Sequence, residues 1–248
     1  MTTPALLAIS HGTASLAGQD AVRRLVDAVA ERLPDVTVRL GHVDVQQPDV
    51  EASLAALPAG MPVIVVPLLL SAGYHVHVDL TESTAGLPGV QLAGALGPDP
   101  RLARVLARRI GELDALGADV NGPHATDALV LAVAGSSDDR ANDDCRREAS
   151  MLAEQLGRPV VTGFLAAAEP RLHDAVAAAR GYGGAGARRV VVSSYLLAPG
   201  YFQDLAAKGG GDLITKPLLD ADDPAPELVD LVVDRYLQCL DAPVASTL

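Results

Sequence analysis

Tryptophan is absent from this chain, and aromatic residues of all kinds make up only 3% of its 248 residues. Any core must therefore come from Ala, Val and Leu, which helices packed on buried parallel strands use. Only two cysteines occur, Cys145 and Cys239. Two distant thiols make neither a disulfide framework nor a zinc motif. No apolar run reaches the roughly 18 residues of a membrane span, and residues 1–10 lack a basic region and cleavage site for secretion. A soluble cytoplasmic protein is the expectation. Positive charge is scarce as well: 19 Lys and Arg stand against 31 Asp and Glu, a net charge of −12. That balance argues against nucleic acid or an anionic membrane as a partner. Phosphate-binding motifs are missing too, with no Gly-x-Gly-x-x-Gly after a strand and no Gly-Lys-Ser/Thr loop. Ala134-Gly135-Ser136-Ser137 lacks the Gly-x-Ser-x-Gly frame of a nucleophile elbow.

What is present is an alternation of strand and helix patterns. Apolar or alternating runs predict strands over 5–10, 37–45, 63–70 and 90–96. Helical periodicity predicts helices over 19–33, 48–57, 76–84 and 101–113, the second opening on a proline. Residues 115–127, rich in Gly, Asp, Asn and Pro, read as a linker. After it the pattern restarts, with strands over 128–134, 159–164 and 190–197 and helices over 142–156, 170–179 and 227–240. Such alternation predicts an α/β fold: two tandem flavodoxin-like halves, 1–118 and 127–248, each a parallel sheet of about four strands flanked by helices.

The restart is an internal repeat. Gly12 corresponds to Gly135, and the stretch 41–48, ending Gln47-Pro48, corresponds to 163–170, ending Glu169-Pro170. The stretch Leu68-Leu69-Leu70-Ser71-Ala72-Gly73-Tyr74 corresponds to Tyr195-Leu196-Leu197-Ala198-Pro199-Gly200-Tyr201. The copies differ at polar positions. His11 pairs with Ala134, Asp44 with Ala166 and His75 with Phe202. Each polar group is expected where a strand of the first copy ends, and loops at carboxyl ends of parallel strands line the ligand crevice. A lone histidine after a strand is ordinarily a hydrogen-bonded cap, and a lone Asp there a solvated carboxylate. Joint loss of all three in copy two favours a shared task. Two imidazoles and a carboxylate suit divalent iron, cobalt, nickel or zinc better than magnesium or calcium, and a neutral imidazole also accepts protons. His42 is expected on the same side as Asp44, in the core or behind the site. His77 reads as a bystander, since i and i+2 on a helix do not face each other.

Ser10-His11-Gly12-Thr13 resembles the His-Gly-Ser opening of the class II tetrapyrrole chelatases. Pro67–Asp79, which includes Gly73-Tyr74-His75, resembles their second signature, and Gly94–Pro100 their Pro-Leu-Gly segment. The sequence is similar to sirohydrochlorin chelatases of the CbiX and SirB type in their two-copy long form. That resemblance implies insertion of Co2+ or Fe2+, with Ni2+ a third choice, into sirohydrochlorin, as in cobalamin or siroheme biosynthesis. It implies no organic cofactor, with the metal ion as substrate. His11 and His75 would be the catalytic, metal-handling pair, and Asp44 stands where relatives often carry Glu, one methylene longer. A monomer whose two halves form the cleft is the expected arrangement. The competing reading is a non-catalytic carrier of divalent metal or tetrapyrrole. The substrate's carboxylates pose a difficulty, because no Lys or Arg occurs between Arg39 and Arg101. Main-chain N–H groups at helix starts after Ser10 and Ser71 are expected to help hold them.

Overall fold

Two parallel four-stranded sheets organise the computed structural model, which describes residues 2–71, 80, 81, 83, 84, 86–113, 126–181 and 189–241. The first contains β1 (Ala5–Ser10), β2 (Val38–His42), β3 (Val63–Pro67) and β4 (Val90–Leu92), in the order β2-β1-β3-β4. The second contains β5 (Ala128–Val133), β6 (Val160–Phe164), β7 (Val190–Tyr195) and β8 (Leu213–Ile214), in the order β6-β5-β7-β8. The helices are α1 (Leu16–Arg32), α2 (Val50–Ala55), α3 (Pro100–Glu112), α4 (Asp139–Leu156), α5 (Leu172–Gly181), α6 (Tyr201–Ala207) and α7 (Pro226–Asp241). Every residue of β1 and β5 is buried, which is why both read as unbroken apolar runs.

The repeat predicted from sequence holds in register. Ala5 pairs with Val63 and Ala128 with Val190; Ile9 pairs with Pro67 and Ala132 with Ser194. It holds in backbone conformation too. Gly12 and Gly135 both have positive φ, as do the non-glycine residues Val45 (φ 64°) and Ala167 (φ 56°). The turn after the second strand is thus the same in both copies although its side chains have diverged.

Several boundaries depart from expectation. β2 stops at His42, and Val43–Pro48 form a bend. The chain turns there because Val45 sits at positive φ, Asp44 Oδ1 accepts the Val45 N–H at 2.7 Å, and Gln46 N–H donates to the Asp44 carbonyl. β3 and β4 also end early, at Pro67 and Leu92. β8 was not expected, being two residues long, nor was α6, whose exposed Tyr201 and Phe202 break the amphipathic pattern. The expected helix over 76–84 is helical at residues 80, 81, 83 and 84, and its remaining residues lie outside the described ones, as does most of the predicted linker.

The halves exchange their last helices. α3, from the first copy, packs on α4 and β7 of the second, whereas α7, from the second copy, packs on α1 and β3 of the first. One apolar core consequently runs between the sheets, from Leu6, Leu25 and Ile64 through Leu102 and Leu106 to Leu152, Val191 and Leu231. Smaller cores cover the two outer faces. α7 is tied down by Tyr236, whose hydroxyl donates to the Pro4 carbonyl at 2.7 Å, and by Arg235, which donates to the carbonyls of Ala95 and Leu96. Between α3 and α4 lies Glu148, fully buried, with Oε2 accepting the Asp99 N–H at 3.0 Å and Oε1 left without a partner. Burial pushes its carboxyl up to about 7, because desolvation disfavours the charged form more than one N–H bond favours it.

Two outcomes are expected. A Cβ on Gly135 would lie 2.0 Å from the Ala166 carbonyl oxygen, whereas one on Gly157, also at positive φ, would meet nothing within 4 Å. Gly135→Ala should then cost about 3 kcal/mol or more, and Gly157→Ala only about 1 kcal/mol. In a thermal melt that separates them as roughly 10 °C against 3 °C; equal shifts would disprove the close approach. The second outcome concerns Glu148, whose carboxyl is raised from an ordinary 4.5. Between the two values the folded chain keeps a proton that the unfolded chain releases, so this group lowers stability as pH rises through that window. Glu148→Gln should remove the dependence, its advantage over the parent growing from pH 4.5 to 7 to at most about 3 kcal/mol. Urea titrations at several pH values would show it, and a pH-independent difference would refute it.

Candidate functional site

At the carboxyl ends of the central strands the two copies enclose a cavity of about 660 Å³, within the size range of small-molecule sites. The first copy supplies Ser10 to Ala14 from the loop after β1, Val45 from the turn after β2, and Leu68 to Ser71 from the end of β3. The second supplies the equivalent loop around Gly135, then Asn142 and Cys145 of α4, Tyr195, and the stretch running to Phe202. Among the described residues that line it, none is Lys, Arg, Asp or Glu, and His11 is the one histidine.

The local backbone explains how His11 gets there. Ser10 is the last residue of β1, and Gly12, at φ +94°, turns the chain so tightly that a Cβ would lie 2.0 Å from the Asp44 carbonyl oxygen. His11 is left exposed on the cavity wall, its carbonyl accepting the Asp44 N–H at 3.0 Å. The expectation that helix-start N–H groups follow directly on Ser10 needs correction. α1 begins only at Leu16, where Ser15 Oγ caps the Gly18 N–H, and the Thr13 N–H is already given to Gln46 Oε1 at 2.9 Å.

The expected trio is thus brought together only in part. Asp44 is exposed, engages the Val45 N–H through its side chain, and is not among the cavity-lining residues; its neighbour Val45 is. His75 and His77 lie outside the described residues. Among the described residues, no three His, Cys, Asp or Glu side chains gather as a metal cluster. His42 does not share a face with Asp44, because β2 ends between them. It is buried behind the site, its Nδ1 2.8 Å from Ser10 Oγ, and burial holds its pKa below the ordinary imidazole value. It therefore stays neutral and anchors the strand end that precedes His11. Cys145 faces the cavity, but burial pushes its thiol up to about 12, so it presents no thiolate to a metal at neutral pH.

The residues missed from sequence belong to the second copy. Tyr195 is buried, Tyr201 is 70% exposed and Phe202 is 37% exposed, and all three line the cavity. Tyr201 and Phe202 stand edge to face with ring centroids 5.5 Å apart. In a chain with five Tyr and two Phe, three in one cavity wall amount to a strong local concentration. The repeat alignment held the signal: copy two carries Tyr and Phe where copy one has Leu68 and His75.

Known proteins agree with this architecture. A sirohydrochlorin cobaltochelatase of Methanosarcina acetivorans is 28% identical over 123 residues, 43% of this chain and 94% of that protein. One of Sulfurisphaera tokodaii is 29% identical over 112 residues, 44% of this chain and 92% of that protein. Among solved structures, SirB from Bacillus subtilis with Fe3+ superposes with a TM-score of 0.73 at 18% identity, over 95% of this chain and 94% of that one. The CbiX family model matches residues 5–113 and 128–206, most of both halves. The chain belongs to the CbiX family.

Proposed function

We propose that this protein is a sirohydrochlorin chelatase, a lyase-type enzyme that inserts Co2+ or Fe2+ into the tetrapyrrole during cobalamin or siroheme biosynthesis. The observation that carries the reading is His11. It is the one imidazole among the described residues of a cavity built by both halves, and the equivalent residue across the cavity is Ala134. Family membership and the cobaltochelatase relatives support it.

The chemistry has three requirements: a metal held weakly enough to be handed over, acceptors for two pyrrole N–H protons, and a surface to seat the macrocycle. A neutral imidazole meets the first two, as ligand and as base. His75 is the proposed partner of His11 in both tasks, with ring nitrogens within about 4 Å, twice a metal–nitrogen bond. Asp44 is proposed to act from behind, since its carboxylate is engaged by the Val45 N–H. The apolar wall meets the third requirement. Tyr201 and Phe202 offer ring faces to a flat conjugated ring, and aromatic pairs stack at centroid distances of roughly 4.5–7 Å. Without cations in the described lining, the substrate's carboxylates are best accommodated at the cavity edge, in water. The proposal further takes the chain as a cytoplasmic monomer of two units, 1–118 and 127–248, using no organic cofactor.

Initial rates of metal insertion with sirohydrochlorin and Co2+, Fe2+ or Ni2+, corrected for the uncatalysed reaction, test the reading. His11→Ala and His75→Ala should each lower kcat by about 100-fold or more, and Asp44→Ala by about 10-fold, with melting curves unchanged. Tyr201→Ala and Phe202→Ala should mainly raise KM for the tetrapyrrole. Parental rates in both histidine variants would place the chemistry elsewhere. Metallated product that never exceeds the protein concentration would favour the carrier.

A further inference from the structure

The second copy, bare of the His-Asp-His set, nevertheless reaches into the first copy beside the proposed site. Tyr195, at the end of β7, donates its hydroxyl proton to the Leu70 carbonyl at 2.8 Å. The next residue, Ser71, has its hydroxyl beside the Cys145 thiol of α4. One turn further along α4, Glu148 accepts the Asp99 N–H at 3.0 Å. Three side chains of one copy thus hold two places in the other, the exit of β3 and the start of α3.

These contacts are built in at some cost. Tyr195 and Glu148 are both buried, and Glu148 Oε1 is left without a hydrogen-bond partner. Gly97 makes the room: a Cβ there would lie 2.1 Å from the Tyr195 hydroxyl and 2.5 Å from the Leu70 carbonyl. The feature is specific to one copy. In the second copy the carbonyl equivalent to that of Leu70, on Leu197, accepts a main-chain N–H from Leu219 at 2.8 Å. The residue equivalent to Tyr195 in the first copy is Leu68, with no hydroxyl to offer. Divergence has therefore left an asymmetric contact that runs from the degenerate copy to the one that keeps its histidines.

We propose that Tyr195 is a positioning residue: by its hydrogen bond to Leu70, with Cys145 at Ser71, the second copy fixes the point from which the chain leaves β3 toward His75. The proposal rests on the chelatase reading for its activity test but not for its binding test. Leu70 and Ser71 immediately precede residues 72–79, which carry His75, and both line the cavity that His11 faces. Groups that orient metal ligands typically change metal affinity or activity by about 10–100-fold when removed, and the lower end of that range is the expectation for a bond made to the chain that leads to the ligand. Removal leaves the Leu70 carbonyl without its donor while the phenyl ring keeps the packing.

The experiment uses the full chain carrying Tyr195→Phe. Three quantities are measured: Co2+ binding alone by calorimetric titration, kcat and KM for sirohydrochlorin, and the melting curve. The expected result is a 10-fold or greater loss in Co2+ affinity and in kcat, with KM for the tetrapyrrole within about twofold and a cooperative melt retained. Unchanged Co2+ affinity overturns the proposal, and so does a raised KM with unchanged Co2+ affinity, which would make Tyr195 a tetrapyrrole contact. If Tyr195→Phe does not fold, Cys145→Ala carries the test in the same direction, and unchanged Co2+ affinity there overturns the proposal. Failure of the parent protein to metallate sirohydrochlorin would refute the chelatase reading while leaving the Co2+ titration to judge the clamp.

Discussion

The burial of the two sheets' inner faces against one shared layer of helices is the constraint from which the rest of the structure follows. Neither copy covers its own sheet completely: α7 lies on β3 and α1 of the first copy, and α3 lies on β7 and α4 of the second. A parallel sheet must be covered on both faces, so the halves are bound to each other by the same apolar burial that folds them. With the sheets held this way, the carboxyl ends of their central strands line one space. The cavity is a consequence of how the core is closed.

Within that frame the duplication has preserved backbone and released side chains. The Gly12–Asp44 and Gly135–Ala166 contacts are alike to a tenth of an ångström, and Val45 and Ala167 share an unusual φ. The steric fit of a glycine against a carbonyl leaves little latitude, while the side chain at the neighbouring position faces the cavity and is open to change. His11 and Ala134 occupy such positions. Copy two has taken up apolar duties instead, with Tyr195, Tyr201 and Phe202 forming part of the cavity wall.

The electrostatics fit a site that passes a cation to the ring nitrogens of a tetrapyrrole whose carboxylates stay in water. Its described lining contains no Lys, Arg, Asp or Glu, and the buried groups behind it, His42 and Glu148, are both biased by desolvation toward their neutral forms. A fixed carboxylate pointing into the cavity would bind the metal more strongly and hinder its release. Many of the chain's acidic side chains instead pair with arginines on helix surfaces, as in Asp20 with Arg23 and Arg24 or Glu227 with Arg108, pairs worth little individually.

The sequence by itself determined the α/β class, the duplication with its register, and His11 as a cavity residue. Apolar periodicity and the short motifs around Gly12 and Gly135 are local signals, and local signals survive without coordinates. Other features needed the tertiary structure. Asp44 is exposed and bonded to the Val45 N–H, outside the cavity lining, in a main-chain turn that alternation of side chains does not encode. β8 is two residues long and has too few positions to show a period. The exchange of α3 and α7 and the hydrogen bond from Tyr195 to Leu70, 125 residues away in sequence, depend on how two amphipathic surfaces meet, and any apolar helix face satisfies the same pattern. Periodicity fixed which face each helix buries; the choice of sheet it covers was made by packing.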